Sequence, residues 1–290
     1  MRYTIENKYV KVKISSKGAE IQSIKGYDGI EYIWQGDKDT WEGHAPNLFP
    51  YIARLTYGKY RYKNKEYKMD IHGLAMYSEF KVVQKESDRI SFTFESNEET
   101  KLKYPFEFCF CINYILVERK LIIQYRVVNY DIKKMYFGVG GHPGFCVPLD
   151  SEEEFNQYYL KFSEKLTPIK IGMSEDCYVT GINTPFELRE NQYLDLHHEL
   201  FNDDAIILGE MANQVTLKSR NGLKSITVTY PQMKYLGIWH WPKVAVNYVC
   251  IEPWTSLPSR KNIVEDLELQ EDLVGLEPNE VYQNEWSIEI

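Results

Sequence analysis

The sequence predicts an all-β protein, a large antiparallel β-sandwich with few short helices. Apolar and polar residues alternate with a period of two in segments along the chain, as expected when one face of each strand is buried. Turn signals that contain Gly or Asn separate these segments. Aromatic residues make up 14% of the chain, and their preference for strands favours the same class.

The clearest alternation predicts strands in four segments: 10–14, 90–94, 121–128 and 225–230. Residues 59–69 predict a hairpin that turns at Asn64. Helical periodicity is scarce, and residues 193–201 predict only a short helix or turn. In either conformation His197 and His198 point in different directions, so we do not expect them to bind a metal together.

The domain organisation follows from what the chain lacks. Its 290 residues carry no Pro/Gly/Ser-rich linker, no shift in composition and no fixed-period repeat. Large β-sandwiches often reach this length as one unit. The sequence therefore predicts one domain that spans residues 1–290.

Charge and hydropathy exclude two classes of partner. The formal net charge is −8 and no basic block occurs, so nucleic acid is not an expected partner. No stretch approaches the length of an apolar membrane span, and residues 1–7 lack the apolar core of a signal peptide. We therefore expect a cytoplasmic protein that does not bind membranes, as a monomer or a homodimer.

The chain has five cysteines, and their pattern suggests reduced thiols that lie mostly in the core. Cys109 and Cys111 alternate within one predicted strand, so both side chains should face the same side. Neighbours on one strand face are poorly placed for a disulfide, and the spacing fits no zinc framework. This cysteine usage is typical of a cytoplasmic protein.

Two titratable residues far apart in the chain stand in rigid surroundings at the ends of predicted strands. His142 lies in the segment Gly-Gly-His-Pro-Gly, and Glu252 lies in the segment Cys-Ile-Glu-Pro-Trp. The glycines leave room for other atoms beside the imidazole, and the prolines restrict the backbone next to each group. An imidazole and a carboxylate held in this way suit paired proton transfer.

Two further residues are candidates for binding a ligand. Arg54 lies among apolar residues, where its guanidinium needs a carboxylate, a carbonyl or a ligand oxygen. A salt bridge that pins a loop would satisfy it equally well. His72 precedes Gly73 just after a predicted strand, a pattern that fits a hydrogen-bonded structural histidine as well as a ligand contact.

Taken in order along an all-β chain, these segments resemble the aldose 1-epimerases (mutarotases), in particular their LacX-like branch. The resemblance extends from the block around Arg54 and His72 through the Gly-His-Pro-Gly segment to the Glu-Pro-Trp segment. It implies the galactose mutarotase-like form of the β-sandwich, often called a supersandwich. It also implies that Glu252 and His142 are catalytic and that Arg54 and His72 bind the sugar.

The resemblance points to further sugar-binding residues. Family members carry a substrate-binding aspartate in the region that contains Asp203 and Asp204, and the sequence Asp-Ala-Ile favours Asp204. Alternation along a strand would let only one of the two reach the pocket. Trp239 or Trp241, on the strand that leads to the catalytic glutamate, could flank a sugar ring, with core packing as the other interpretation.

The reaction that the resemblance implies is the interconversion of α and β anomers of an aldose. Ring opening needs one proton to leave the C1 hydroxyl, which Glu252 would accept, and one to reach the ring oxygen, which His142 would supply. The two groups exchange roles when the ring closes. This chemistry requires no cofactor and no metal, and we expect its rate to change with pH in the histidine range.

Other functions remain compatible with the sequence. A hexose-6-phosphate epimerase of the same fold would need a cation beside the pocket, for which Arg260 and Lys243 are candidates. A non-catalytic carbohydrate-binding protein would need neither His142 nor Glu252 to react. A glycosidase is less favoured, because most use two carboxylates at the scissile bond. The expected ligand is thus an aldohexose, with or without a phosphate.

Overall fold

The computed structural model describes residues 1–290, which form 24 strands, one α-helix and four 3₁₀ helices. The helices are η1 (Thr56–Gly58), η2 (Ala75–Tyr77), α1 (Glu98–Lys103), η3 (Phe155–Gln157) and η4 (His198–Phe201). None of these helices has the length and apolar character needed to cross a membrane. The strands are β1 (Arg2–Glu6), β2 (Val10–Ser15), β3 (Ile21–Gly26), β4 (Asn47–Leu48), β5 (Lys59–Tyr62), β6 (Lys65–Lys68), β7 (Lys81–Lys85), β8 (Arg89–Glu95), β9 (Phe108–Val117), β10 (Lys120–Asn129), β11 (Met135–Phe137), β12 (Gly140–Gly141), β13 (Gly144–Cys146), β14 (Tyr158–Phe162), β15 (Ile169–Lys170), β16 (Thr184–Pro185), β17 (Tyr193–Asp195), β18 (Ile206–Gly209), β19 (Gln214–Ser219), β20 (Ser225–Thr229), β21 (Tyr235–Trp239), β22 (Tyr248–Trp254), β23 (Val274–Leu276) and β24 (Val281–Glu289).

The larger of the two main sheets has nine strands in the order β17-β14-β19-β20-β24-β10-β9-β8-β7. Its strand pairs are antiparallel, and its two longest strands, β9 and β10, are joined by a tight turn. Along β9, Phe110, Ile112 and Tyr114 are buried, while Cys111 and Asn113 between them are partly exposed. This period of two places one face of the sheet against the core and the other towards solvent.

The second main sheet has eight strands, in the order β16-β15-β18-β21-β22-β12-β4, with β13 also paired to β22. It contains the segments around both His142 and Glu252, because β12 and β13 flank His142 and β22 contains Glu252. Three smaller sheets complete the fold: β1-β2-β3, β5-β6 and β11-β23.

The two main sheets enclose one hydrophobic core of 65 buried residues. Phe110 and Ile123 enter this core from the nine-stranded sheet, and Leu208 and Ile251 enter it from the eight-stranded sheet. Burial of apolar surface on this scale is the main stabilising contribution to such a fold. The predicted class, an all-β antiparallel sandwich with few short helices, is confirmed.

Strand β22 divides its side chains between two environments. Val249 and Ile251 lie in the main core, whereas Cys250, Glu252 and Trp254 face the opposite side of the sheet. All five are buried, because loops cover that second face. The sheet therefore carries a hydrophobic core on one face and a second, partly polar buried layer on the other.

The predicted strands are confirmed, since the four alternating segments coincide with β2, β8, β10 and β20. The hairpin is β5–β6, and its turn places Lys63 and Asn64 at positive φ angles of 48° and 61°. The short helix predicted within 193–201 is η4, preceded by the short strand β17.

The cysteines differ in part from expectation. All five are free thiols, but only Cys109 and Cys250 are buried. The Sγ atoms of Cys109 and Cys111 lie 3.4 Å apart on one face of β9, as the alternation predicted.

Candidate active site

A cavity of about 280 Å³ opens on the face of the eight-stranded sheet that looks away from the main core. This size lies near the lower end of the range of about 300–1,000 Å³ for small-molecule sites. The lining combines aromatic, apolar and titratable side chains: Trp41, Ala53, Arg54, Ile71, His72, Met76, His142, Met173, Cys177, Asp203, Asp204, Ala205, Ile207, Trp239, Trp241, Glu252, Trp254 and Pro258. All the residues that the sequence singled out as candidates for catalysis or sugar binding therefore lie on one cavity.

His142 and Glu252 meet on the buried wall of the cavity. The backbone N–H of His142 donates to the carbonyl of Pro46 at 2.9 Å, which holds the turn between β12 and β13 against the preceding loop. The imidazole Nε2 lies 3.2 Å from Oε2 of Glu252, and the two residues are only 8% and 2% exposed. The contact between Nε2 and Oε2 does not have hydrogen-bond geometry, so Glu252 Oε2 has no hydrogen-bond partner. His142 Nδ1, on the other side of the ring, also has none.

Burial controls the protonation of this pair. It lowers the pKa of His142 from 6.5 to about 4, because a buried imidazolium loses its hydration. Burial also raises the pKa of Glu252 well above its usual value, and the negative charge of Asp204 raises it further. Burial therefore favours a neutral imidazole beside a protonated carboxyl, so the pair holds one transferable proton.

Aromatic rings cover the imidazole. The ring of Trp41 lies over His142 with centroids 5.1 Å apart and planes 31° from parallel. Trp239 meets the imidazole edge-on at 5.7 Å and meets Trp41 edge-on at 5.6 Å. Gly144 makes this arrangement possible, because a Cβ there would lie 2.6 Å from the Trp41 ring. Trp239 thus lies on the cavity wall, as predicted, together with the 38%-exposed Trp241.

His72 is held by the backbone of Ala53, which lies in the loop between β4 and η1. Its backbone N–H donates to the carbonyl of Ala53 at 2.9 Å, and its Nδ1 accepts from the N–H of Ala53 at 3.1 Å. Since Nδ1 is an acceptor, the neutral ring carries its proton on Nε2 and can donate it to a ligand. Burial, followed by the charges of His142 and Arg54, lowers the pKa of His72 well below its usual value. The residue is therefore a neutral hydrogen-bond donor.

Arg54 lies at the mouth of the cavity without an ion pair. None of the 18 salt bridges in the structure involves its guanidinium, and its side chain makes no hydrogen bond. The salt bridge that would have pinned a loop is absent. The guanidinium thus remains available for a ligand oxygen.

Asp203 and Asp204 both line the cavity, so the expectation that only one would reach it is wrong. The two residues lie in the turn between η4 and β18, where side chains do not alternate as they do along a strand. Asp204 is the more constrained of the two. Its Oδ1 accepts from the N–H of Ala205 at 2.8 Å and its Oδ2 accepts from the Cys177 thiol at 3.1 Å.

Among the lining residues that the sequence interpretation missed, Trp41 and Cys177 contact proposed catalytic or sugar-binding residues. Both come from irregular loops, and no strand periodicity or motif marks either of them. Cys177 is recognisable only by its position, because its thiol contacts an aspartate 27 residues further along the chain.

Other candidates lie elsewhere. The Arg260 guanidinium is paired with Glu265 at 2.8 Å, and Lys243 is exposed and does not line the cavity. His197 contacts Glu199 at 3.2 Å, whereas Nδ1 of His198 lies 3.1 Å from Nε2 of the buried His240. The adjacent histidines therefore point to different neighbours, as expected.

Comparisons with known proteins show the family to which this fold belongs. The model of the aldose 1-epimerase family matches residues 1–286. The chain is 30% identical over 287 residues to the chromosomal protein LacX of Lactococcus lactis subsp. lactis, covering 92% of each protein. A crystal structure of a galactose mutarotase related enzyme from Lactobacillus acidophilus superposes with a TM-score of 0.95 at 35% identity, covering 100% of this chain and 97% of that one. A galactose mutarotase-like protein from Lactobacillus casei gives a TM-score of 0.94 at 32% identity, covering 100% and 99%. The chain belongs to the aldose 1-epimerase family.

Proposed function

We propose that the protein is an aldose 1-epimerase that interconverts the α and β anomers of a neutral aldohexose, with Glu252 as base and His142 as acid. The observation that carries this proposal is the contact of 3.2 Å between His142 Nε2 and Glu252 Oε2 on the buried wall of a cavity of about 280 Å³. A proton donor and a proton acceptor at that separation can reach the two oxygens bonded to one anomeric carbon.

In this mechanism Glu252 accepts the proton of the C1 hydroxyl while His142 donates a proton to the ring oxygen. The C1–O5 bond breaks and the aldehyde forms. Rotation about the C1–C2 bond presents the other carbonyl face, and the two groups then return their protons in the reverse sense as the ring closes. The pair begins and ends with one proton, so the enzyme needs no net exchange with solvent in a catalytic cycle.

The charged form of the pair must be accessible for this chemistry. In the empty site burial favours the neutral form of both groups. A bound sugar supplies hydroxyl groups that hydrogen-bond to a carboxylate, and the Trp41 ring 5.1 Å from the imidazole favours its cation. The sugar therefore helps to convert the resting pair into carboxylate and imidazolium.

The remaining polar groups hold the sugar in place. Arg54 offers an unpaired guanidinium, His72 offers its Nε2 proton, and Asp204 offers carboxylate oxygens to sugar hydroxyls. The exposed Asp203 and the indole of Trp239 also face the cavity and can contact the ring. Orienting the anomeric carbon between donor and acceptor is worth as much to the rate as the acid and base themselves.

The charges of the lining favour a neutral sugar over a sugar phosphate. Arg54 is the one lysine or arginine in the lining, whereas Asp203, Asp204 and Glu252 supply three carboxyl groups. A phosphate dianion would meet these carboxylates with a single cation to offset them. Of the two cations considered for a phosphate, Arg260 is paired with Glu265 and Lys243 does not line the cavity.

Polarimetry of freshly dissolved α-D-galactose and α-D-glucose tests the proposal. The wild type should accelerate the approach to anomeric equilibrium, and Glu252→Gln and His142→Asn should each lose about 10²–10⁴ of the rate. His198→Asn is a matched control, because His198 lies outside the cavity and should retain the wild-type rate. Binding of either sugar without acceleration would contradict the proposal and indicate a carbohydrate-binding protein.

The choice of a neutral sugar has its own test. α-D-glucose 6-phosphate and α-D-glucose are compared at equal concentration, with the wild type and with Arg54→Met. The neutral sugar should have the higher kcat/KM in the wild type. A preference for the phosphorylated sugar that disappears in Arg54→Met would overturn this part of the proposal.

A further inference from the structure

A third reactive side chain, buried behind the cavity wall, lies next to the proposed acid and base. Cys250 lies two residues before Glu252 on β22, so both side chains leave the strand on the same face. Ligand atoms of His142, Cys250 and Glu252 all lie within 4.8 Å of one another, and Cys250 is 0% exposed. An imidazole, a thiol and a carboxyl thus converge at one point.

We propose that His142, Cys250 and Glu252 form a binding site for a thiophilic divalent cation, Zn²⁺ in the first instance, and that its occupancy switches off the acid–base pair. This inference rests on the proposed function for its effect on turnover, but not for the binding itself.

The ligand set is one that zinc prefers. Thiolate, imidazole and carboxylate are its usual protein ligands, whereas Mg²⁺ and Ca²⁺ favour oxygen alone. Zinc–ligand bonds of about 2.0–2.3 Å place neighbouring ligand atoms about 3.3–3.8 Å apart in a tetrahedral site. The 3.2 Å between His142 Nε2 and Glu252 Oε2 already approaches that spacing. The Cys250 sulfur lies within 4.8 Å of both atoms and would complete the set by moving towards them.

An unpartnered polar atom supports the site independently. Glu252 Oε2, the oxygen 3.2 Å from His142 Nε2, is buried and has no hydrogen-bond partner. Most buried polar atoms are paired, so a bound group that completes this oxygen would be stabilised there. A cation beside the carboxylate would supply such a group.

Charge balance also favours binding. Zn²⁺ with one thiolate, one carboxylate and one neutral imidazole has no net charge, which limits the cost of placing it on a buried wall. Binding releases the thiol proton and the proton that the pair shares. The three protein ligands leave a fourth position open towards the cavity, as in sites where zinc keeps an exchangeable ligand. Because the shared proton is gone, the pair can no longer open the sugar ring.

Titration with Co²⁺ as a spectroscopic stand-in for Zn²⁺ tests the binding without any sugar. The wild type should bind one equivalent and develop the near-ultraviolet charge-transfer band of a thiolate–Co²⁺ bond, and Zn²⁺ should displace it. Cys250→Ala should lose this band. Cys111→Ala is the matched control. Cys109 and Cys111 form a close thiol pair on the other main sheet, with Sγ atoms 3.4 Å apart, and could bind Co²⁺ in place of the proposed site.

The absence of a thiolate band in the wild type, or a band that persists in Cys250→Ala and disappears in Cys111→Ala, would overturn the proposal. Cys250→Ser, nearly the same size, gives a second test if the alanine variant does not fold. The consequence for turnover is measured by polarimetry relative to the metal-free rate of each variant. Zn²⁺ should slow the wild type about 10²-fold or more and Cys250→Ala much less. If the metal-free wild type turns over no sugar, the proposed function fails while the Co²⁺ titration still decides the site.

Discussion

Two clusters of buried polar side chains differ in how completely they are paired. Asn47, on β4, is 2% exposed, and its amide donates to the hydroxyl of Tyr114 at 2.9 Å and accepts from the hydroxyl of Tyr125 at 2.7 Å. The amide also donates to the carbonyls of Gly18 and Ala19 at 3.0 and 3.1 Å. Polar groups in this structural cluster therefore find their partners within the protein.

The cavity wall presents the opposite case. His142 Nδ1, Glu252 Oε2 and the indole nitrogen of Trp254 are also buried but have no partner. An unpaired buried polar group costs about 1–3 kcal/mol, whereas a paired one is a modest net gain. The cluster around Asn47 therefore stabilises the fold. The unpaired groups on the cavity wall lower the stability of the fold and remain available for a ligand.

Replacing Glu252 by Gln should separate these two contributions most clearly. Turnover should fall by about 10²–10⁴, whereas the free energy of unfolding at pH 7 should rise by about 1–3 kcal/mol. Above pH 4.5 the unfolded chain releases the Glu252 proton, whereas the folded protein keeps it. The contribution of Glu252 to the free energy of unfolding therefore falls as the pH rises. Urea unfolding at pH 5 and pH 7 measures the difference in free energy of unfolding between the variant and the wild type, which should be larger at pH 7. A variant less stable than the wild type at pH 7 would mean that Glu252 is a structural residue.

The pH dependence of kcat/KM should report the burial of His142. The reacting pair must hold one proton, and a second proton binds to His142 only near its lowered pKa of about 4. The rate should therefore fall about tenfold per pH unit below pH 4. Between about pH 6 and 7, where an ordinary histidine titrates, kcat/KM should not fall as the pH is lowered. Loss of rate with a midpoint near pH 6.5 would mean that His142 is hydrated in the working enzyme. This prediction differs from the expectation drawn from the sequence, which placed the response in the histidine range, because burial lowers the pKa of His142.

Replacing Tyr114 by Phe tests the structural cluster. The change leaves the Asn47 amide and the carbonyl of Ala19 without the hydroxyl that they contact at 2.9 and 2.7 Å. The free energy of unfolding should fall by about 1–2 kcal/mol. Tyr114 does not line the cavity, so kcat and KM below the unfolding transition should match those of the wild type. A loss of turnover without a loss of stability would contradict the division between the two clusters.

The smallest effect is expected for Cys177→Ala. The thiol donates to Asp204 Oδ2 at 3.1 Å, and its removal leaves that carboxylate held by the backbone of Ala205 alone. KM should rise about three- to tenfold, equivalent to about 0.7–1.4 kcal/mol, with little change in kcat. Cys177→Ser, which can still donate, should restore most of the affinity. Equal effects of Ala and Ser would indicate that the size of the side chain, and not its hydrogen bond, is what matters.

Much of the candidate site could be predicted from the sequence because its residues stand in short rigid segments. Prolines and glycines mark the surroundings of His142 and Glu252, and Gly73 marks His72. Arg54 was conspicuous as a charge among apolar residues, and the structure resolves its alternatives by giving it no ion pair. Trp41 and Cys177 could not be predicted, because irregular loops carry no periodic signal. The alternation argument failed at Asp203 and Asp204, since it applies to strands and they lie in a turn.

The fold class and the strands with clear alternation follow from the sequence, because they depend on local pattern and composition. The same is true of the candidate acid and base, an imidazole and a carboxylate in short rigid segments. The tertiary structure alone decided which face of β22 meets the core and which meets the cavity. It also decided that Glu252 and His142 lie 3.2 Å apart and buried, which sets their protonation. The physical reason is that desolvation and proximity depend on contacts between residues about a hundred positions apart, and no local pattern encodes them.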